Sequence, residues 1–180
     1  MSLYLYTFDL GLLNMFPALL LVMGITMNIY VNKSISYDEI ISGGSFRDIL
    51  IYSVLAIAGL GVASVAAGLG STLFIPGSIT QLSIADQAVF GIMIAIAEEQ
   101  FFRGFLTSFF YSRFNSMVLG VVVSAAVFMV YHLAVYGTTP ANLIYVFVAG
   151  AFLSYTAIAS RRITVPIIGH VINNILAVLG

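Results

Sequence analysis

The stretch FGIMIAIAEEQFFRGFL, residues 90–106, is an apolar segment with two adjacent carboxylates, Glu98 and Glu99, near its centre. The segment is apolar enough to lie in a lipid bilayer, where a charged side chain costs about 2.5–3.5 kcal/mol on insertion scales. Arg103 follows one helical turn later. Because ionisable groups at this depth normally face a polar cavity and carry function, this stretch predicts a functional site within a membrane helix.

The composition of the whole chain is that of an integral membrane protein. Of its 180 residues, 61% are hydrophobic and 7% are charged, whereas soluble domains carry roughly 25% charged residues. So few charges cannot cover a surface that faces water. The formal net charge of -1 argues against a nucleic-acid partner. The absence of Cys excludes disulfides, thiolate metal ligands and a cysteine nucleophile.

Apolar segments of about 20 residues, the length that a membrane helix requires, recur along the chain. They predict an all-α membrane protein, a single polytopic bundle of about six transmembrane helices, since backbone polar groups in hydrocarbon must be satisfied internally. The bundle is one domain, residues 1–180, with a core in about residues 85–180. The predicted spans are residues 8–30, 49–74, 85–111, 117–136, 141–159 and 163–179.

The basic residues outside the spans all fall in the first, third and fifth connecting loops. They are Lys33, Arg47, Arg113, Arg161 and Arg162. The second and fourth loops and both termini contain no Lys or Arg. By the positive-inside rule, this distribution predicts that both termini lie outside and that the basic loops lie in the cytoplasm.

Seven strongly polar groups within the predicted spans come from the third, fourth and sixth spans, and the other spans are nearly bare of such groups. The seven are Glu98, Glu99, Arg103, His132, His170, Asn173 and Asn174. This concentration favours one shared site over independent polar contacts. Counted along the spans, His132 lies toward the outer end of the fourth and His170 toward the inner end of the sixth. A shared site therefore requires tilted helices, shifted span boundaries or unequal helix ends, and we attribute the difference in depth to the predicted boundaries.

Helix geometry assigns these groups to faces. Residues four apart lie on one face, so Glu99 can pair with Arg103, and His170 can pair with Asn174. Glu98 is rotated about 100° from Glu99 and faces a different neighbour. A carboxylate in an apolar site can take a proton from water as a general base, and imidazole or amide N–H groups can stabilise an oxyanion.

The fourth span carries small and aromatic residues at a strict four-residue spacing, which places them on one helical face. They are Gly120, Ser124, Phe128 and His132. Small residues on one face allow helices to approach closely. This face can serve helix packing, but the histidine at its end gives a functional role more weight than packing alone would have.

Three motifs in this order resemble those of the CPBP intramembrane proteases. They are Glu98-Glu99-x-x-x-Arg103, Phe128-x-x-x-His132 and His170-x-x-x-Asn174. That family includes the CAAX prenyl proteases of the endoplasmic reticulum and bacterial bacteriocin-processing or immunity proteins. The resemblance extends from about residue 89 to the C-terminus, and we expect a location in the plasma membrane of a prokaryote.

The resemblance implies an endopeptidase that hydrolyses a peptide bond of a membrane-associated protein or peptide with an activated water. At the matching positions, Glu98 would act with His132 on the water. His170 and Asn174 would form the oxyanion site. The residues with supporting roles would be Glu99, Arg103, Phe128 and Asn173.

The resemblance also bears on cofactors and partners. No cofactor is favoured, because the chain lacks the His-Glu-x-x-His motif, but zinc stays open. Its ligands would be Glu98, Glu99, His132 and His170. The partners that we expect are the substrate and the lipid bilayer. Larger relatives have additional helices, so a homo-oligomer or a helper subunit would complete the fold.

Two other functions stay open at this stage. A proton- or ion-coupled membrane carrier also uses intramembrane Glu, His and Arg as a proton relay, although no inverted repeat is visible. A non-catalytic immunity or scaffold relative would keep the fold without the reaction. The complete set of motifs argues against that alternative, since an inactive relative is free to lose one of them.

Overall fold

The computed structural model describes residues 18–27, 45–68 and 83–179, and all regular secondary structure within these ranges is helical. An all-α fold is thus confirmed for these residues. A π-helical segment, Gln100–Thr107, joins α3 to α4. The helices are α1 (Ala18–Met27), α2 (Phe46–Ala66), α3 (Ile84–Glu99), α4 (Ser108–Phe114), α5 (Met117–Tyr136), α6 (Pro140–Ser160) and α7 (Thr164–Leu179).

Two of the described helices, α2 and α6, are long and apolar enough to cross a membrane by length and composition. The helices α1, α5 and α7 are apolar but shorter over the described residues. Six membrane-spanning helices are therefore not confirmed and stay a prediction. Parts of the first two predicted spans, residues 8–17, 28–30 and 69–74, lie outside the described residues.

Local sequence explains where most helices begin. Ser45 accepts a hydrogen bond from the Asp48 N–H, and the Asp48 carboxylate accepts one from the Ser45 N–H at 2.8 Å, which forms a capping box at the start of α2. Ser83 and Ser116 cap α3 and α5 through their hydroxyl oxygens, which accept from the Asp86 N–H and the Leu119 N–H. Pro140 opens α6, where its missing N–H costs little.

The end of α2 differs from the predicted span, which continues to residue 74. The helix ends at Ala66, and Gly68 follows with a φ of 66°. Glycine adopts this left-handed conformation without steric strain, and it commonly ends helices. The Gly68 N–H donates to the Val65 carbonyl oxygen at 3.0 Å.

Small residues bring α2, α6 and α7 together. The face of α2 that is buried consists of Ser53, Ala56, Gly59, Leu60, Ala63 and Ser64. A Cβ on Gly59 would lie 2.3 Å from the ring of Phe152 on α6, so this position has no room for a side chain. A second apolar cluster, Phe102, Phe128 and Val146, lies between the π-helical segment, α5 and α6 and adjoins the polar site.

The third predicted span, residues 85–111, is helical but is not a regular α-helix. The chain runs without a break from Ile84 to Phe114 through the π-helical segment. Such segments are rare and occur frequently at functional sites. The hydroxyl of Ser124 on α5 donates to the Phe102 carbonyl oxygen within the segment at 3.0 Å. A neighbouring helix therefore satisfies a backbone group that lies outside regular α-helical pairing.

Candidate active site

The two carboxylates at the end of α3 are buried and face different partners. Glu98 and Glu99 are 4% and 0% exposed. Glu99 Oε1 accepts a hydrogen bond from Arg103 Nη1 at 2.9 Å, which confirms the pairing expected from their four-residue spacing. Glu98 points toward two imidazole rings instead. The Arg103 guanidinium thus neutralises Glu99, whereas Glu98 faces the two histidines.

Arg103 is held by three elements of the fold. Its Nη2 donates to the Gly150 carbonyl oxygen of α6 at 3.2 Å. Its guanidinium carbon lies 4.2 Å from the ring centroid of Phe128 on α5, a cation–π distance. A Cβ on Gly150 would come within 3.1 Å of the Phe128 ring, so a glycine lets the α6 backbone approach the guanidinium.

Glu98 lies between both histidines of the chain. The distance from Glu98 Oε1 to His132 Nε2 is 3.8 Å, and the distance from Glu98 Oε2 to His170 Nε2 is 3.7 Å. These separations exceed direct hydrogen bonds and match gaps that one water molecule bridges. Among the described residues, Glu98 Oε2 is a buried oxygen with no hydrogen-bond partner. The geometry is that of a carboxylate and two ring nitrogens converging on one small volume.

Hydrogen bonds at the Nδ1 atoms determine the state of the two rings. His132 Nδ1 lies 2.8 Å from the Phe128 carbonyl oxygen, which can only accept, so this nitrogen carries the proton. In the neutral ring, His132 Nε2 then presents a lone pair toward Glu98. His170 Nδ1 lies 2.7 Å from Glu99 Oε1, a charge-assisted distance. Both rings therefore direct Nε2 at Glu98.

The stripe of residues spaced by four on α5 packs against α3 and the π-helical segment that continues it. The stripe is Gly120, Ser124, Phe128 and His132, and the residues that these contact are, in the same order, Thr107, Phe102, Arg103 and Glu98. The expected packing face is confirmed. Because the stripe is straight and the contacts are continuous, α5 positions His132 against the carboxylate.

The two asparagines have partners other than those expected. Asn174 Nδ2 donates to the Gly91 carbonyl oxygen of α3 at 3.0 Å. Asn173 Oδ1 accepts a hydrogen bond from the Tyr145 hydroxyl at 3.2 Å. The expected pairing of His170 with Asn174 is replaced, since His170 binds Glu99. Asn174 therefore connects α7 to α3, the helix that carries Glu98.

Tyr131 is a site residue that the motifs did not indicate. Its hydroxyl forms a hydrogen bond with Glu98. Its ring lies 4.9 Å from the His132 ring in an edge-on arrangement. Tyr131 follows Phe128 by three residues, a spacing that places both on one side of a helix. That spacing was the signal available in the sequence.

Within the described ranges, no group of three or more His, Asp or Glu residues has an arrangement that could hold a metal ion. Of the four residues considered for zinc, Glu99 and His170 bind each other, whereas Glu98 lies 3.8 and 3.7 Å from His132 and His170. Glu99 Oε1 accepts from both Arg103 and His170, at 2.9 and 2.7 Å. These two donors occupy that carboxylate oxygen.

The fold and the site define an all-helical protein, over the described residues, with a buried glutamate–histidine centre. A family model described as type II CAAX prenyl endopeptidase Rce1-like matches residues 80–176, more than half of the 180 residues. The chain belongs to this Rce1-like family, as the motifs had indicated, and membership implies a protease of the CAAX type. No curated protein and no solved structure matches the chain significantly.

Proposed function

We propose that the protein is an intramembrane endopeptidase in which Glu98 and His132 activate a water molecule to hydrolyse a peptide bond of a membrane-associated protein or peptide. The observation that carries this proposal is the approach of two Nε2 atoms to one carboxylate, at 3.7 and 3.8 Å. Arg103 neutralises Glu99 but not Glu98. Glu98 is therefore the carboxylate that is available as a base.

The proposed reaction begins with a water held between Glu98 and His132. One water proton points to the carboxylate and the other to the His132 Nε2 lone pair, so the oxygen lone pair is directed at the substrate carbonyl carbon. As the new C–O bond forms, Glu98 takes the proton as a general base. When the C–N bond breaks, Glu98 returns that proton to the leaving nitrogen, and the carboxylate is regenerated.

His170 and Asn174 are the proposed donors to the oxyanion of the tetrahedral intermediate. His170 already uses Nδ1–H on Glu99, so its Nε2 donates only when the ring is an imidazolium. The carboxylates of Glu98 and Glu99 flank the ring, at 3.7 and 2.7 Å from its Nε2 and Nδ1 atoms. Asn174 uses one amide hydrogen on Gly91 and has a second one for the oxyanion.

We propose the glutamate-type mechanism without a metal. The convergence of a base, a lone-pair nitrogen and two donors supports it, because each step above has a residue to perform it. In this scheme Glu99 and Arg103 hold His170 in place, while Phe128 supports the guanidinium through its ring. Asn173 takes a supporting role through Tyr145, which anchors α7 to α6.

We further propose that the chain forms a bundle of six transmembrane helices in a prokaryotic plasma membrane, with both termini outside and the basic loops cytoplasmic. Two contacts support this orientation. Asp48, at the start of α2, interacts electrostatically with Arg162 after α6. A Cβ on Gly120, near the start of α5, would lie 3.2 Å from Ile158, near the end of α6. The three ends that carry basic residues therefore lie on one side.

The exposed apolar surface supports a lipid environment. Phe46, Val54 and Val65 on α2 are 73%, 67% and 81% exposed. Acyl chains would cover such side chains, and so would a second copy of the chain or a helper subunit. We propose lipid as the principal neighbour and a partner chain as an addition that crosslinking in native membranes would detect.

The test is cleavage of a membrane-anchored peptide by purified protein in lipid vesicles. We expect Glu98→Gln and His132→Ala to lower kcat by about 10²–10⁴-fold, the range for loss of general base catalysis. Asp86→Asn is the matched control, because it removes an exposed carboxylate from the same helix. Parental rates in both site variants would disprove the assignment. Proton flux that Glu98→Gln abolishes, without any cleavage, would instead indicate a carrier.

A further inference from the structure

Three tyrosines surround the candidate active site, each against a different polar residue. Tyr131 forms a hydrogen bond with Glu98. The Tyr136 ring stacks on His132, with centroids 5.2 Å apart and planes 22° from parallel. Tyr145 donates to Asn173. The Tyr131 hydroxyl contacts the proposed base, so it bears directly on the reaction.

The Tyr131 ring is held on two sides by the fold. Its centroid lies 4.9 Å from that of His132 at an interplanar angle of 84°, and 5.3 Å from that of Phe102 at 55°. Edge-on and tilted contacts at these distances are favourable aromatic arrangements. The ring therefore packs against the His132 ring of its own helix, α5, and against Phe102 of the π-helical segment.

Glu98 depends on a direct hydrogen-bond donor more than Glu99 does. Glu99 is oriented by Arg103 and by His170 through contacts of 2.9 and 2.7 Å. Besides Tyr131, Glu98 has the longer approaches to the two histidines, at 3.7 and 3.8 Å. A glutamate side chain has several rotatable bonds, and its freedom carries an entropic cost when it is fixed. Without a direct donor, the carboxylate would be free to turn away from the water.

We propose that Tyr131 is a positioning residue whose hydroxyl donates to one oxygen of Glu98 and so aims the other oxygen at the bridging water. The inference rests on the proposed function, in which Glu98 is the base. Tyr131 itself does not contact the reacting atoms. It acts by holding the carboxylate in one rotamer, and a shift of about 1 Å in such a group costs up to about 100-fold in rate.

Tyr131→Phe tests this role because it removes only the hydroxyl and keeps the ring contacts. We expect kcat to fall about tenfold or more, with KM within about twofold of the parental value. Tyr155→Phe is the matched control, because it removes the same hydroxyl group outside the site. Tyr155 lies on α6 and is 39% exposed. A parental kcat in Tyr131→Phe, or a rise in KM alone, would overturn the inference.

A stability cycle tests the same contact without any substrate. The free energies of unfolding in detergent are compared for the parent, Tyr131→Phe, Glu98→Ala and the double variant. A hydroxyl that acts through Glu98 gives non-additive effects, whereas additive effects would contradict the contact. The two proposals fail separately. If Glu98→Gln retains the parental rate, the hydrolytic function is wrong. If Glu98→Gln is inactive and Tyr131→Phe is unaffected, only the role of Tyr131 is wrong.

Discussion

Gly169 and Ala56 lie so close together that a Cβ added to Gly169 would come within 2.8 Å of the Ala56 Cβ. Gly169 directly precedes His170 on α7, and Ala56 belongs to the buried face of α2. The contact between these helices has room for one methyl group. It therefore contributes to the depth and rotation at which α7 presents His170 to the carboxylates.

Gly169→Ala should lower both stability and activity, because the added methyl meets an atom fixed to the α2 backbone. Overpacking of this kind costs typically about 1–3 kcal/mol. Adding Ala56→Gly should recover most of the loss, since the double variant moves the methyl from one helix to the other. Thermal unfolding in detergent and the cleavage rate measure both effects. A double variant no better than Gly169→Ala would show that this contact does not position α7.

Gly24 lies at a second close approach between helices, where α1 meets the start of the π-helical segment. A Cβ there would lie 3.1 Å from the Gln100 carbonyl carbon and 3.1 Å from the Phe101 nitrogen, both backbone atoms. We expect Gly24→Ala to destabilise the protein and to reduce activity, because the segment adjoins Glu99. Circular dichroism melts and the cleavage assay would measure this.

Gly61 provides the control for that substitution. A Cβ on Gly61 of α2 would have no atom within 4 Å. Gly61→Ala should therefore stabilise the helix by up to about 1 kcal/mol, the ordinary gain in helix propensity. Equal effects of the two substitutions would mean that α1 does not press on the π-helical segment.

Arg103→Met should be among the most destabilising single changes in the site. It leaves the Glu99 carboxylate, which is 0% exposed, without its guanidinium, and breaking a buried pair in this way costs about 3–5 kcal/mol. Combining it with Glu99→Gln removes the uncompensated charge and should restore much of the stability. Chemical denaturation of the three variants measures the recovery.

Activity should not recover in the Glu99→Gln and Arg103→Met double variant. The neutral amide binds the His170 Nδ1–H more weakly than the carboxylate does, so the ring of the proposed oxyanion donor is held less firmly. Recovery of stability without activity would separate the structural role of the pair from its role at His170. A fully active double variant would contradict that role.

Metal chelators should leave the cleavage rate unchanged, and elemental analysis of the purified protein should find no stoichiometric zinc. The reason is that Glu99 Oε1 already accepts from two donors and that the described residues offer no metal-binding group. Cleavage that is lost on chelation and restored by zinc would reverse the choice of mechanism. Treatment of the inactive Glu98→Gln protein controls for contaminating metalloproteases.

The helices and their ends could be read from the sequence because they depend on local interactions. Ser116 and Pro140 begin α5 and α6 through capping and a fixed backbone angle. The predicted fourth span, residues 117–136, has the bounds of α5. The helix α2 ends at Ala66, before Gly68 in its left-handed conformation, whereas the predicted second span runs on to residue 74 through residues outside the described ranges.

Contacts along one helical face were also within reach of the sequence. The pairing of Glu99 with Arg103 follows from a four-residue spacing, which is a property of the single helix. The different partners of Glu98 and Glu99 also follow from the single helix, because consecutive residues are rotated by about 100°. The π-helical segment that begins at Gln100 was not predictable, since contacts such as that from Ser124 on α5 help to stabilise it.

The sequence by itself determined which polar groups the helices carry and which of them share a face, because helical periodicity is a local property of the chain. Only the tertiary structure decided that they meet. His132 lies about 22 Å along α5 and His170 about 9 Å along α7 at 1.5 Å per residue, yet both rings reach Glu98. The relative depth and rotation of packed helices bring them there, together with Tyr131, and these depend on side-chain contacts between segments distant in sequence.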